Sequence, residues 1–331
     1  MRAMVLEQPA PIEQRPLKPA ELPIPEPAEG QLLLRVLACG VCRTDLHIAE
    51  GDLQLPRLPL VPGHEVVAEV AEVGEGVAGF RIGDRVGVPW LHDTPEDCLY
   101  RRRGLENLCP DARFTGYHVD GGYAEYMLSQ AEFTYPLPER FSDAEAAPLL
   151  CAGVIGYRAL KLSELQPGRT FAIYGFGGSA HIAIQIAVSR GCPVLVFTRG
   201  ESHRQLALSL GAQWAGGLED PPPDLADSAV NFTPAGEVVL TALRNLRPGG
   251  TVCCAGIYQT PIPPMDYSLL YGERTVRSAA NSTRADVREL LAEADRIPVR
   301  TTVTEFPLEQ ANEALLKLKQ SAFDGAAVLV P

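Results

Sequence analysis

Apolar positions are spaced in two different ways along this chain. Up to about residue 150 they come in short runs, at 31–37, 66–73, 85–88 and 123–128, separated by stretches rich in Gly and Pro. Short runs between turn-forming residues predict strands of a β-rich domain with long connections. From about residue 152 the rhythm changes. Residues 170–174, 194–197, 229–232 and 251–256 are near-continuous apolar stretches, with helical patterns between them at 180–189, 205–210 and 237–246. Strands apolar on both faces, alternating with helices, predict a parallel sheet covered on both sides. Beyond residue 280 come one or two more helices, chiefly 308–319, and a last strand over 326–330. The expected class is α/β, a doubly wound parallel sheet following a β-rich domain.

Composition narrows what such a chain can do. A length of 331 residues exceeds a usual single core, which agrees with two domains. Hydrophobic residues make up 46% and charged residues 21%, the balance of a globular protein. No apolar run is long enough for a membrane helix, and Glu7, Gln8 and Pro9 interrupt the start before any secretion-type apolar segment can form. A cytoplasmic protein is the expectation. A net charge of −12 argues against a nucleic-acid partner. The basic triplet Arg101-Arg102-Arg103 reads as a solvated loop. Eight cysteines in a chain this long do not make a disulfide scaffold, which leaves metal ligation or inert burial for most of them.

The segment Tyr174-Gly175-Phe176-Gly177-Gly178-Ser179-Ala180 follows a predicted strand and opens a predicted helix. In that context the glycine spacing is a dinucleotide-binding turn of the Rossmann kind. Gly175 permits the tight turn, Gly177 lets backbone approach a diphosphate, Gly178 beside it is a further candidate for cofactor contact, and Ala180 keeps helix and strand close. The phosphates would meet unpaired N–H groups and the positive end of the helix dipole. Where an NAD enzyme usually places an acidic residue at the tip of the second strand, this chain has Thr198 and Arg199, with Arg204 following. Two guanidinium groups suit a 2′-phosphate, so NADP(H) is expected over NAD(H). Glu201 is the residue that could instead bend back to a ribose.

Four further segments carry metal-ligand chemistry: Cys39 to His47 with Cys42-Arg43-Thr44-Asp45 inside it, Gly63-His64-Glu65, Cys98 to Cys109, and Leu150-Cys151-Ala152-Gly153. Together with Gly87-Val88-Pro89-Trp90-Leu91, Phe114-Thr115-Gly116-Tyr117, Asp120-Gly121-Gly122-Tyr123-Ala124-Glu125-Tyr126 and Ala147-Pro148-Leu149, they form one ordered pattern. Over essentially its whole length the chain resembles the zinc-containing medium-chain dehydrogenase/reductases, in a bacterial branch close to cinnamyl-alcohol dehydrogenases. The resemblance implies a GroES-like catalytic domain of 1–151 and 280–331 around a Rossmann domain of 152–279. It implies a catalytic zinc on Cys42, His64 and Cys151, with Cys39 a neighbour. Such a Cys₂His set leaves one coordination position open, as in alcohol dehydrogenases generally.

By the same resemblance, zinc polarises the substrate oxygen, while hydride moves to or from the nicotinamide. Thr44 begins a proton relay that His47 ends, through the cofactor ribose. Glu65 is the carboxylate beside the metal, and Arg43 contacts the cofactor diphosphate. Asp45 orients a ligating histidine or, read without the family, is a surface turn residue. Trp90 lines the substrate cleft or merely packs. Residues 231–233 and 255–257 resemble segments beside the nicotinamide, and Arg284 a further phosphate contact. The family often carries a second, structural zinc on four cysteines, but here those places hold Pro95, Cys98, Arg101 and Cys109. No structural zinc is expected, and Cys98 and Cys109 are expected as reduced thiols in the cell, with a bridge open to them in purified protein. Small primary alcohols or aldehydes are the expected substrates, and a homo-oligomer, dimer or tetramer, the expected assembly. Two alternatives share the fold: a zinc-free quinone or enoyl reductase, and a non-catalytic redox-sensing protein that binds NADP(H).

Overall fold

A computed structural model of the chain describes residues 1–320, 322 and 325–331. They fall into two units: Met1–Cys151 with Thr283–Asp295 and Arg300–Pro331, and Ala152–Ser282 with Arg296–Val299.

The first unit is organised by the strand Gln31–Val41, eleven residues long and buried along most of its length. It is flanked by Ala326–Val330 on one side and Val66–Val73 on the other, and Tyr126–Gln130 also pairs with it. The seven-stranded sheet then continues through Arg85–Val88 to Tyr135–Pro136, with Val303–Pro307 at the opposite edge. Its pairings are antiparallel except for Val303–Pro307 against Ala326–Val330. Two irregularities in the pairing with Val66–Val73 fall between Leu33 and Leu34 and between Val36 and Ala38. Bulges of this kind bend a strand and raise its twist, which lets the sheet curl around a core. That core includes Leu34, Val66, Val70, Tyr123 and Leu329. The alternating exposure of a one-sided sheet is therefore missing from the central strand.

The second unit carries six parallel strands in the order Trp214–Gly216, Val194–Phe197, Phe171–Tyr174, Ala226–Asn231, Leu246–Cys254, Thr275–Ser278. In chain sequence that is 3-2-1-4-5-6, the doubly wound arrangement. Its strand order reverses between Phe171–Tyr174 and Ala226–Asn231, where ligands bind outside the strand C-termini. The helix Gly178–Ser189 is largely buried and packs on Ala152–Leu162; a side chain on Gly156 would press on the Ser179 carbonyl.

The apolar pattern located the sheet interiors but missed their edges. Trp214–Gly216 is three residues long, and Thr275–Ser278 is mostly exposed, so neither carries an apolar run. The helix expected at 205–210 begins earlier, at Glu201, because its first turn is polar and solvated. No helix among the described residues is long and apolar enough to cross a membrane.

Candidate active site

Three elements of the first unit converge on one cluster. Cys42 closes the strand Gln31–Val41 and caps the helix Arg43–Glu50. Its backbone N–H donates to Asp45 Oδ2 at 2.9 Å, so the residue three places into the helix fixes the cap. His64 and Glu65 lead into Val66–Val73. Cys151 ends the short helical turn Ala147–Leu150. The ligand atoms of Cys42, His64, Glu65 and Cys151 all lie within 4.8 Å of one another. The two sulfurs are 3.8 Å apart.

Asp45 is the hub behind this cluster. It is wholly buried, and its Oδ1 accepts from His64 Nδ1 at 3.0 Å and from the Gly63 N–H at 3.1 Å. The carboxylate is an acceptor only, so His64 carries a hydrogen on Nδ1, and Nε2 is the nitrogen left to bind a metal once its own proton is displaced. Nε2 is buried and has no hydrogen-bond partner among the described residues. A buried imidazole nitrogen left without a partner is costly, and two thiols beside it are soft donors. The residues present therefore fit a zinc ion.

The electrostatic surroundings of these groups point the same way. The Cys42 thiol is held well below its usual range, chiefly by the hydrogen bond from Cys151 and then by His64. Cys151 is pushed up by that same hydrogen bond and by burial. Burial pulls His64 down, but Asp45 and Cys42 together set it well above an ordinary imidazole. Burial, and then the Cys42 charge, raises Glu65. Without a cation the cluster thus keeps protons on groups that a divalent metal would displace.

Close packing around the cluster excludes a side chain at two glycines. A side chain on Gly40 would occupy the space of the Glu65 carboxylate. Gly63 has φ +100°, and a Cβ there would meet the Tyr123 ring and the Cys39 sulfur. Tyr123 is fully buried. Trp90 stands edge-on to His64, with ring centroids 4.7 Å apart, and stacks on Phe114 at 5.0 Å. Tyr117 leans on the same indole and donates from its hydroxyl to the Gln54 carbonyl at 2.6 Å. A wall of aromatic rings thus extends from His64.

Thr44 is buried, its Oγ1 3.8 Å from Cys42 Sγ. His47 follows one turn later on the same helix, and Arg43 is its first residue. Arg284, at the start of the helix Arg284–Arg296, is engaged elsewhere. Its N–H donates to Glu106 Oε1 at 2.8 Å, its side chain pairs with Glu106 and Glu132, and its guanidinium lies over Phe133.

In the second unit Gly175 has φ +82°, and its N–H donates to the Phe197 carbonyl at 2.8 Å. Gly177 caps the helix Gly178–Ser189, and the space a Cβ would take there is open. A side chain on Gly178 would face Ala152, and Ala180 is fully buried. The turn therefore presents open backbone and unpaired helix N–H groups to an anion. At the tip of the neighbouring strand Thr198 is buried and Arg199 exposed. Arg204 donates to the Thr198 carbonyl at 3.1 Å and pairs with Glu201 at 3.6 Å.

Comparison with known proteins decides what this architecture is. Residues 28–139 match the family model for the alcohol dehydrogenase GroES-like domain, and 178–296 that for the zinc-binding dehydrogenase. A probable alcohol dehydrogenase of Mycobacterium tuberculosis (strain CDC 1551 / Oshkosh) is 48% identical, covering 100% of this chain and 97% of the relative. The chain belongs to the zinc-containing alcohol dehydrogenase family. An alcohol dehydrogenase of Geobacillus stearothermophilus is 38% identical, with 96% of each chain covered. Among solved structures, a cinnamyl alcohol dehydrogenase from Sorghum bicolor aligns with a TM-score of 0.91 at 28% identity, over 99% of this chain and 97% of that one. This protein is accordingly an enzyme of the alcohol dehydrogenase type, which interconverts alcohols and carbonyl compounds with a nicotinamide cofactor.

In this dehydrogenase the lobe around residues 91–114 holds the second of the two states open to its cysteines. Cys98 and Cys109 are paired in a disulfide. Their Cα atoms stand 6.4 Å apart, within the reach of a bridge. Arg101, at one of the lost cysteine places, donates to the Thr94 carbonyl at 2.6 Å and to Glu132 at 2.7 Å.

No individual role was assigned from sequence to Gly40, Tyr123 or Asp52, the last of which lies 2.8 Å from His47. Gly40 had a signal in its place between Cys39 and Cys42. The other two act through folding of the chain, which no spacing reveals.

Proposed function

We propose that this alcohol dehydrogenase is a zinc-dependent, NADP(H)-preferring enzyme for primary alcohols and aldehydes. The observation that carries the reading is the cluster of Cys42, His64 and Cys151 around an unpartnered His64 Nε2. These three residues would hold one zinc ion, which when bound supplies a Lewis acid for the substrate oxygen. Asp45 keeps His64 in the ligating tautomer. Thr44 takes the hydroxyl proton of the alcohol, and His47, partly exposed one turn along the helix, hands it to solvent. Glu65, neutral or charged according to what stands beside it, is the buried carboxylate that adjusts the charge of the cluster. No second metal is proposed in the lobe, where Pro95 and Arg101 stand at two of the four ligand places and Cys98 and Cys109 are paired with each other.

The aromatic wall of Trp90, Phe114 and Tyr117 supports flat, apolar substrates such as aryl or unsaturated alcohols. A homo-oligomer is supported by exposed Ile257, Tyr258, Tyr267 and Tyr271 in the connection leading to the edge strand Thr275–Ser278.

For the cofactor, the exposed Arg199 at the strand tip supports pairing with a 2′-phosphate. Glu201, the acidic competitor, is held by Gln205 at 2.7 Å and by Arg204. Replacing Arg199 with Glu is expected to lower kcat/KM for NADP⁺ roughly ten- to hundredfold, the size of a lost charge-assisted contact plus a new repulsion, with little change for NAD⁺. Steady-state rates with both cofactors and an aryl alcohol such as benzyl alcohol test this. A wild-type enzyme that prefers NAD⁺ would sink the NADP(H) reading.

A further inference from the structure

The relay residue His47 has a partner of its own. The helix Arg43–Glu50 ends at Gly51, whose φ of 82° turns the chain back on the last helical turn. The N–H groups of Gly51 and Asp52 both donate to the His47 carbonyl at 3.0 Å. Backbone geometry therefore fixes where residue 52 stands, and Asp52 Oδ2 lies 2.8 Å from His47 Nδ1. The side chains are 26% and 58% exposed, so as an ion pair they contribute little to stability. Their geometry has another consequence. A carboxylate can only accept, so the contact requires the hydrogen of the neutral ring on Nδ1. That leaves Nε2 as the basic nitrogen and stops the ring from rotating away.

We propose that Asp52 is a positioning residue for proton transfer, holding the His47 ring in the Nδ1–H tautomer so that Nε2 takes the proton. The inference rests on the reading of His47 as the outer end of the relay. The logic is that of a carboxylate orienting a catalytic imidazole, where loss of the carboxylate leaves the ring in the wrong tautomer. Exposure makes the effect smaller here, since water can partly replace Asp52.

The test uses the zinc-loaded full-length enzyme and its D52N, D52E and H47N variants. Protein labelled with ¹⁵N-histidine reports the tautomer of His47, whose signals are assigned by their loss in H47N. D52N is expected to lose the Nδ1–H signature and to lower kcat for benzyl alcohol oxidation about three- to tenfold. KM for the alcohol and the cofactor Kd, measured by fluorescence titration, should stay unchanged, because Asp52 acts on the proton and not on binding. D52E should restore most of the rate. A D52N enzyme with wild-type kcat and tautomer beside an impaired H47N overturns the role of Asp52 while leaving the relay standing. Wild-type kcat in H47N overturns the relay, and the inference with it.

Discussion

Replacement of Cys42 by serine is expected to abolish zinc binding and to lower alcohol-dependent turnover by about three orders of magnitude or more. The reason lies in the donor and not in the fold. Serine is a good helix cap, and the bond from the residue 42 N–H to Asp45 Oδ2 uses backbone, so the helix Arg43–Glu50 should form as before. What disappears is a thiol already disposed to ionise beside Cys151 and His64. A hydroxyl in that place stays protonated near neutral pH and is a poor ligand for a borderline-soft cation. Polarisation of a carbonyl oxygen by a metal is worth several kcal/mol, and about 4 kcal/mol corresponds to a thousandfold in rate. Metal content, turnover and far-ultraviolet circular dichroism measured on one preparation check it. Full turnover in a C42S enzyme would remove Cys42 from the metal set.

The second large effect is expected at Asp45, which never touches the substrate. Replacing it with alanine strands three donors at once: the Cys42 N–H at 2.9 Å, the Gly63 N–H at 3.1 Å and His64 Nδ1 at 3.0 Å. Each stranded buried donor costs about 1–3 kcal/mol, so a loss of roughly 3–5 kcal/mol in unfolding free energy is expected after local relaxation. Zinc affinity should fall about ten- to a hundredfold, as when a metal-bound histidine loses its orienting partner. Asparagine is a sharper probe. Both carboxylate oxygens of Asp45 accept hydrogen bonds, so either orientation of the amide turns its NH₂ toward a donor. D45N should therefore also be destabilised, though less than D45A. Denaturant unfolding and competition with a zinc chelator read the two effects separately. Wild-type stability and zinc retention in D45A would show that the hub is not needed.

How much of this was legible beforehand depends on whether a feature is local in the chain. The dinucleotide turn is local: Gly175, Gly177 and Ala180 each meet a need set by the strand and helix on either side, so a short motif carries it. The metal set is spread over more than a hundred residues, and Cys42, His64 and Cys151 became legible only together, through resemblance to a family. Asp45 stood in the motif, but its choice between a surface turn and a buried hub was open until its exposure was seen to be nil. Arg284 shows what a short segment leaves out. Its pairing with Glu106 and Glu132, two carboxylates far from it in sequence, is set by the fold. The edge strands were illegible for a different reason, because short or solvent-facing strands are not marked by apolar runs.

The claim on which the rest depends is a single zinc ion on two sulfurs and one imidazole. Zinc-edge X-ray absorption of the purified enzyme, with metal content measured on the same sample, tests it most directly. The account predicts one zinc per chain, with two sulfur ligands at about 2.3 Å and nitrogen or oxygen ligands at about 2.0–2.1 Å. Two zinc ions per chain with a sulfur-rich average shell, or full activity in protein free of zinc, would contradict it.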